Sequence, residues 1–283
     1  MIFDHRACVL GEGPLWHPIR EQLFWFDILG KKLLTQTASG PKEWQFAENV
    51  SAAGWVDQSL LLIASETGLI QFDVDTDVQT VICGLEVDIP SNRSNDGRVD
   101  PLGGFWIGTM SKTQDPGAGA IYRYYKGELR CLFRSITISN AICFPPGGAF
   151  AHFCDTSTGR VMRVTLDAEG WPNATPEVFL NLKSQGFHPD GAVIDATGVM
   201  WLAQWGAARV AAYAPDAQFL RAVTFDAPHT SCPAFGGPGN MTLFCTTALE
   251  DMPAAAVAHY PNAGKTFAMP NMAKGQYEHQ VTL

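Results

Sequence analysis

Apolar residues fall along this chain in short runs broken by Gly, Pro, Asp and Asn. Helical periodicity is nearly absent, and β-branched or aromatic residues dominate the runs, as strands require. One run recurs six times: Leu23–Phe26, Leu61–Ala64, Phe105–Gly108, Ala151–Cys154, Met200–Ala203 and Leu243–Thr246. Successive copies lie roughly 40–50 residues apart, the spacing of one repeated four-stranded sheet. Six such sheets around an axis make an all-β, six-bladed β-propeller with four antiparallel strands per blade. Residues 1–283 then form a single domain, since no linker or low-complexity stretch divides them.

A second apolar segment precedes each copy and opens on a small residue or proline: Gly13, Gly54, Gly97, Ala141, Gly191 and Pro233. Innermost strands of a propeller crowd the axis, which leaves little room for bulk there. The last blade is expected to use Thr242–Thr246, Ala255–Tyr260 and Lys265–Met269 in succession. Ring closure falls either to Arg6–Leu10, joining the last blade, or to Gln280–Leu283, pairing near the first. Trp25, Trp106 and Trp201 recur at matching places and read as core packing. Asp100 and Asp195, in Asp-x-x-Gly turns, read as acceptors for local backbone N–H groups, and Asp155 as a loop cap.

Charge narrows the partners. A formal net charge of −9 and the absence of any basic cluster exclude nucleic acid and an anionic membrane as main partners. No apolar stretch approaches the roughly 20 residues of a membrane-spanning helix. Residues 1–6 carry an early acid and no apolar core of signal-peptide length, so a cytoplasmic location is expected. The seven cysteines are scattered without a C-x-x-C pair. Cys143, Cys154, Cys232 and Cys245 lie in apolar runs and read as small buried hydrophobes rather than disulfides or zinc ligands.

The residues just before the innermost segments carry the candidate chemistry. They are Glu12, Asn95-Asp96, Asn140 and Asp190 in four blades, with the smaller Ser51-Ala52 and Thr230-Ser231 in the other two. Equivalent positions of a propeller ring one mouth of the channel, so these side chains should converge. Such an oxygen-rich set suits a divalent cation of the Ca, Mg or Mn type, and Zn or Fe also accept carboxylates. His188 and His229 lie near openers as candidate proton shuttles, although neither has ligand spacing to another histidine. His17 and His152 lie within strands and read as structural, while Trp205 and Phe187 flank the blade-five loops as candidate pocket walls.

Gly11-Glu12-Gly13-Pro14-Leu15-Trp16, Arg93-Ser94-Asn95-Asp96-Gly97-Arg98, Gly108-Thr109-Met110, Ile138-Ser139-Asn140 and Pro189-Asp190-Gly191 together resemble a known group. It is the senescence-marker-protein/gluconolactonase/regucalcin family of six-bladed propellers, and the resemblance spans Glu12 to about Thr247. The resemblance implies that Glu12, Asn140 and Asp190 bind one divalent metal. It further implies that Asp190 is the general base and that Arg93 and Asn95 hold substrate hydroxyls. The family's activities are hydrolysis of sugar lactones and, in some members, of organophosphates. This chain departs from the pattern with Ala141 where Gly is frequent, and with Gly103-Gly104 where Gly-Arg is frequent. Its loop 112–118 also lacks the glutamate that some relatives carry nearby.

Lactone hydrolysis needs a polarised carbonyl and a deprotonated water, and a divalent cation can supply both, zinc lowering bound-water pKa to about 7. Asp190 could accept the water's proton, and Arg93 offers planar donors to hydroxyl or carbonyl oxygens. The expected enzyme is therefore a carboxylic-ester hydrolase acting on an aldonolactone. Two readings compete: a phosphotriester hydrolase on the same metal, and a calcium-binding regulatory propeller without turnover. No Gly-x-Ser-x-Gly elbow, P-loop or dinucleotide fingerprint in strand–helix context points elsewhere.

Overall fold

A computed structural model describes residues 1–283. It contains six sheets of four antiparallel strands, arranged as the blades of a propeller. Five blades are built from consecutive strands, beginning with Gly11–His17, Gln22–Asp27, Lys32–Thr37 and Gly40–Gln45. The sixth combines Thr230–Gly236, Thr242–Thr247 and Thr266–Met269 with the N-terminal strand Ile2–Asp4.

That last blade corrects two expectations. Ala255–Tyr260 is not a strand, because Ala254–His259 forms the one α-helix of the chain. Its alanine-rich composition favours a helix, and Pro253 sits at the N-cap, where no N–H is missed. The closing strand is Ile2–Asp4 rather than Arg6–Leu10 or Gln280–Leu283, with Ile2 opposite Phe267 and Asp4 opposite Thr266. Phe3 then packs edge-on against Trp25 and Phe244, at 6.0 and 4.9 Å between ring centroids. The C-terminal residues run across the far end of the channel instead. There Gln276 donates to the carbonyls of Phe144 and Ile194, Val281 N donates to Trp55 O, and Glu278 pairs with Arg98.

The hydrophobic core lies between neighbouring blades. Blades one and two meet through Phe24, Phe26, Ile63 and Phe72, and the other interfaces repeat this pattern. Trp25, Trp106 and Trp201 are fully buried, as their spacing implies. Trp106 and Trp201 each donate Nε1 to the turn aspartate of their own blade, Asp100 or Asp195, at 3.0 Å. The same aspartates accept from Leu102 N and Gly104 N, and from Thr197 N and Val199 N. Asp155 caps the short 3-10 turn Thr156–Thr158. His17 bonds Asp57 O, and His152 lies buried between Phe150 and Phe179, so both are structural. All seven cysteines are free, with Cys143, Cys154, Cys232 and Cys245 buried. No helix is long and apolar enough to cross a membrane.

Candidate active site

The converging residues lie inside the innermost strands rather than just before them. Each of the six strands slips register at that point: Glu12/Leu15, Val50/Ala52, Ser94/Gly97, Asn140/Cys143, Pro189/Ala192 and Thr230/Pro233. A bulge breaks the alternation of faces and re-aims a side chain, here into the channel mouth. Small residues next to the bulges make this possible. Gly13 takes φ +52°, and a Cβ there would lie 2.1 Å from Ser51 O. A Cβ on Gly191 would lie 2.3 Å from Cys232 Sγ.

Glu12, Arg93, Asn95, Asn140 and Asp190 come together around one cavity of about 270 Å³. All five are buried, at 3–5% exposure, although the cavity itself opens to solvent. A hydrogen-bond chain fixes three of them. Arg93 Nη1 donates to Asn95 Oδ1 at 2.7 Å, and Asn95 Nδ2 donates to Asn140 Oδ1 at 3.1 Å and Ser139 O at 2.8 Å. Asn140 Nδ2 donates to Thr156 Oγ1 at 2.9 Å, and that hydroxyl donates to Pro189 O, beside Asp190. Asn95 thus orients both Arg93 and Asn140. Arg93 Nη1 also holds Ser94 O, while Nε and Nη2 bond no protein atom.

Glu12 and Asp190 are the unbalanced charges of the site. Burial, then the nearby Asp96 charge, pushes the Glu12 carboxyl up to about 8, although Gly13 N donates to its Oε2 at 2.8 Å. Asp190 is raised well above the usual carboxylate range by burial, then by Glu12, Asp96 and Glu250. Neither forms an ion pair with a basic side chain. Burial lowers the Arg93 pKa, opposed first by the charge of Glu250 and then by Glu12. Two buried carboxylates and an amide carbonyl facing one cavity form an oxygen donor set that suits a divalent cation.

The other opener residues do not reach the cavity. Asp96 accepts from Ile142 N at 2.8 Å, Ser51 donates to Ser94 Oγ, and Ser231 donates to Gly11 O. His188 and Trp205 do line it, whereas Phe187 does not. His229 stacks on Trp205 at 4.2 Å and supports that wall from behind. Sequence reasoning missed Thr156, Gln114, Glu250 and Asp251, which line the mouth from loops of three blades. The signal available for Glu250-Asp251 was position: the pair lies in the loop after a second strand, as Thr156 does in blade four. Met110, from the Gly108-Thr109-Met110 motif, is also a wall residue.

The model of the SMP-30/gluconolactonase/LRE-like region matches residues 10–249. A Rhizobium meliloti (strain 1021) protein provisionally named sugar lactone lactonase is 40% identical over 277 residues, covering 96% of this chain and 93% of its own. The Pseudomonas putida 6-deoxy-6-sulfogluconolactonase is 30% identical, covering 92% and 90%. The crystal structure of a calcium-binding protein, regucalcin, from Agrobacterium tumefaciens superimposes with a TM-score of 0.97 at 39% identity, covering 100% of this chain and 97% of that one.

Proposed function

Because this chain belongs to the SMP-30/gluconolactonase/LRE-like family, we propose that it hydrolyses the ester bond of a sugar aldonolactone with the help of a divalent cation. The observation that carries this reading is the meeting of Glu12, Asn140 and Asp190, from three blades, with Arg93 in one open cavity. Glu12, Asn140 and Asp190 would hold the cation. When bound, it would polarise the lactone carbonyl and lower the pKa of a water. Calcium, magnesium, manganese, zinc and iron all accept these oxygen donors.

The chain's own residues supply the remaining chemistry. Asp190 accepts a proton from the attacking water and returns it to the ring oxygen as the C–O bond breaks. The product is the ring-opened aldonic acid. Arg93 presents Nε and Nη2 to lactone oxygens, with its plane fixed by Asn95 and Ser94 O. Asn95 keeps one lone pair for a substrate hydroxyl while holding Asn140 in place. Trp205 offers a flat apolar wall to a sugar ring.

The likeness to a calcium-binding regucalcin supports a second reading, cation binding without turnover. The decisive experiment assays five- and six-carbon aldonolactones with each cation, before and after chelation. The proposal expects lactone hydrolysis that chelation abolishes and one of the cations restores. Tight calcium binding with no hydrolysis across the panel would establish the second reading instead. Hydrolysis of phosphotriesters but of no lactone would overturn both.

A further inference from the structure

The charges around the cavity are lopsided. Four carboxylates line it, Glu12, Asp190, Glu250 and Asp251, against one guanidinium, Arg93, and one imidazole, His188. A divalent cation on the ligand set would still leave negative charge in excess. Arg93 keeps Nε and Nη2 for the lactone oxygens and faces the charge of Glu250. Two other basic side chains nearby are spoken for. Lys112 of the blade-three loop pairs with Glu66 and Pro90 O, and Arg209 donates to Gln204 Oε1 and stacks on Phe187 at 4.0 Å.

Glu250 and Asp251 are held at the mouth by the backbone. Leu249 N and Glu250 N both donate to Val9 O, at 3.0 and 2.8 Å, which staples this blade-six loop to blade one. The rest of the lining includes the apolar or neutral side chains Met110, Ile138, Gln114 and the stacked Trp205, together with His188. Carboxylates accept hydrogen bonds from hydroxyls readily but repel a second anion across a few ångströms.

We infer that this pocket selects uncharged polyhydroxy lactones and turns away those bearing a phosphate, sulfonate or carboxylate, with Glu250 and Asp251 setting the preference. The substrate class rests on the lactonase reading above; the charge selection rests on the walls alone. The Pseudomonas putida relative is named for a sulfo-substituted lactone. In this chain no lysine or second arginine lines the cavity to receive such a group.

The test compares a six-carbon aldonolactone with its 6-phosphate, in the cation-loaded protein. Wild-type kcat/KM should favour the uncharged lactone by roughly 100-fold or more, and the E250Q/D251N variant should narrow that ratio at least about tenfold. A parallel calorimetric titration compares binding of a six-carbon sugar alcohol with that of its 6-phosphate, so the result does not depend on turnover. Discrimination in binding without hydrolysis would sink the lactonase reading and leave the selection standing. Hydrolysis with equal use of both lactones, a ratio unmoved in the variant, or failure of the neutral alcohol to bind more tightly would overturn the selection.

Discussion

At the residue scale, the proposed function makes two demands on Asp190, to balance a cation and still to take a proton. Its burial beside Glu12 makes the ionised form costly until a cation arrives. Asp190→Asn should therefore keep the fold, weaken cation affinity and lower kcat by on the order of 10²–10⁴ at saturating metal; near-normal turnover would remove the base assignment. Arg93→Ala should raise KM while leaving the cation content of the purified protein unchanged, which elemental analysis would read. Glu12 adds a pH signature. Its folded pKa of about 8 lies above the ordinary 4.5, so the metal-free fold holds this proton more tightly than the unfolded chain. The stability this contributes is full below about pH 4.5 and is lost as pH rises through about 8. Melting temperatures with and without chelator should diverge across that window, the chelated protein falling as the pH rises.

At the scale of one element, the bulged innermost strand is the working unit. A regular strand would alternate faces and aim every second side chain into a neighbouring blade. The slip at Glu12/Leu15 turns Glu12 toward the axis, and Gly13 absorbs it at φ +52°. Gly13→Ala would add a Cβ against Ser51 O in a left-handed conformation. A loss of at least ~2 kcal/mol is expected, with weakened cation binding, as urea titration and calorimetry would show. Ala141 takes φ +55° in the equivalent bulge of blade four, so that bulge forms without a glycine. The site therefore survives the departure from glycine noted at that position.

At the scale of the whole molecule, the ring is only as secure as its seam. Ile2–Asp4 supplies the outer strand of the sixth blade, and Phe3 fills a pocket against Trp25 and Phe244. Asp4 pairs with Arg6, which also donates to Thr35 O in blade one. Deleting residues 1–4 would expose a strand edge and remove a packed aromatic side chain, a loss of roughly 3–5 kcal/mol. The melting temperature should fall by roughly 10 °C, while the site residues, on innermost strands, keep their relative placement. Residual lactonase activity below the new transition would show this separation.

The repeat of apolar runs was enough to specify the six blades, because period-two burial and regular turn spacing are local properties of the chain. Position next to an apolar run likewise marked Glu12, Asn95, Asn140 and Asp190, whereas Arg93 was marked only by the motif it belongs to. Other features depended on residues far apart in sequence. Whether the first or the last residues close the ring depends on which edge of the sixth blade stays open. Ala255–Tyr260 could become a helix because Thr266–Met269 pairs with the second strand in its place and Ile2–Asp4 completes the sheet. Glu250 and Asp251 entered the mouth because backbone bonds to Val9 draw blade six against blade one. A periodic pattern reports what each segment buries, but not which distant segment it will meet, and it is that meeting which decided the seam and the charge of the pocket.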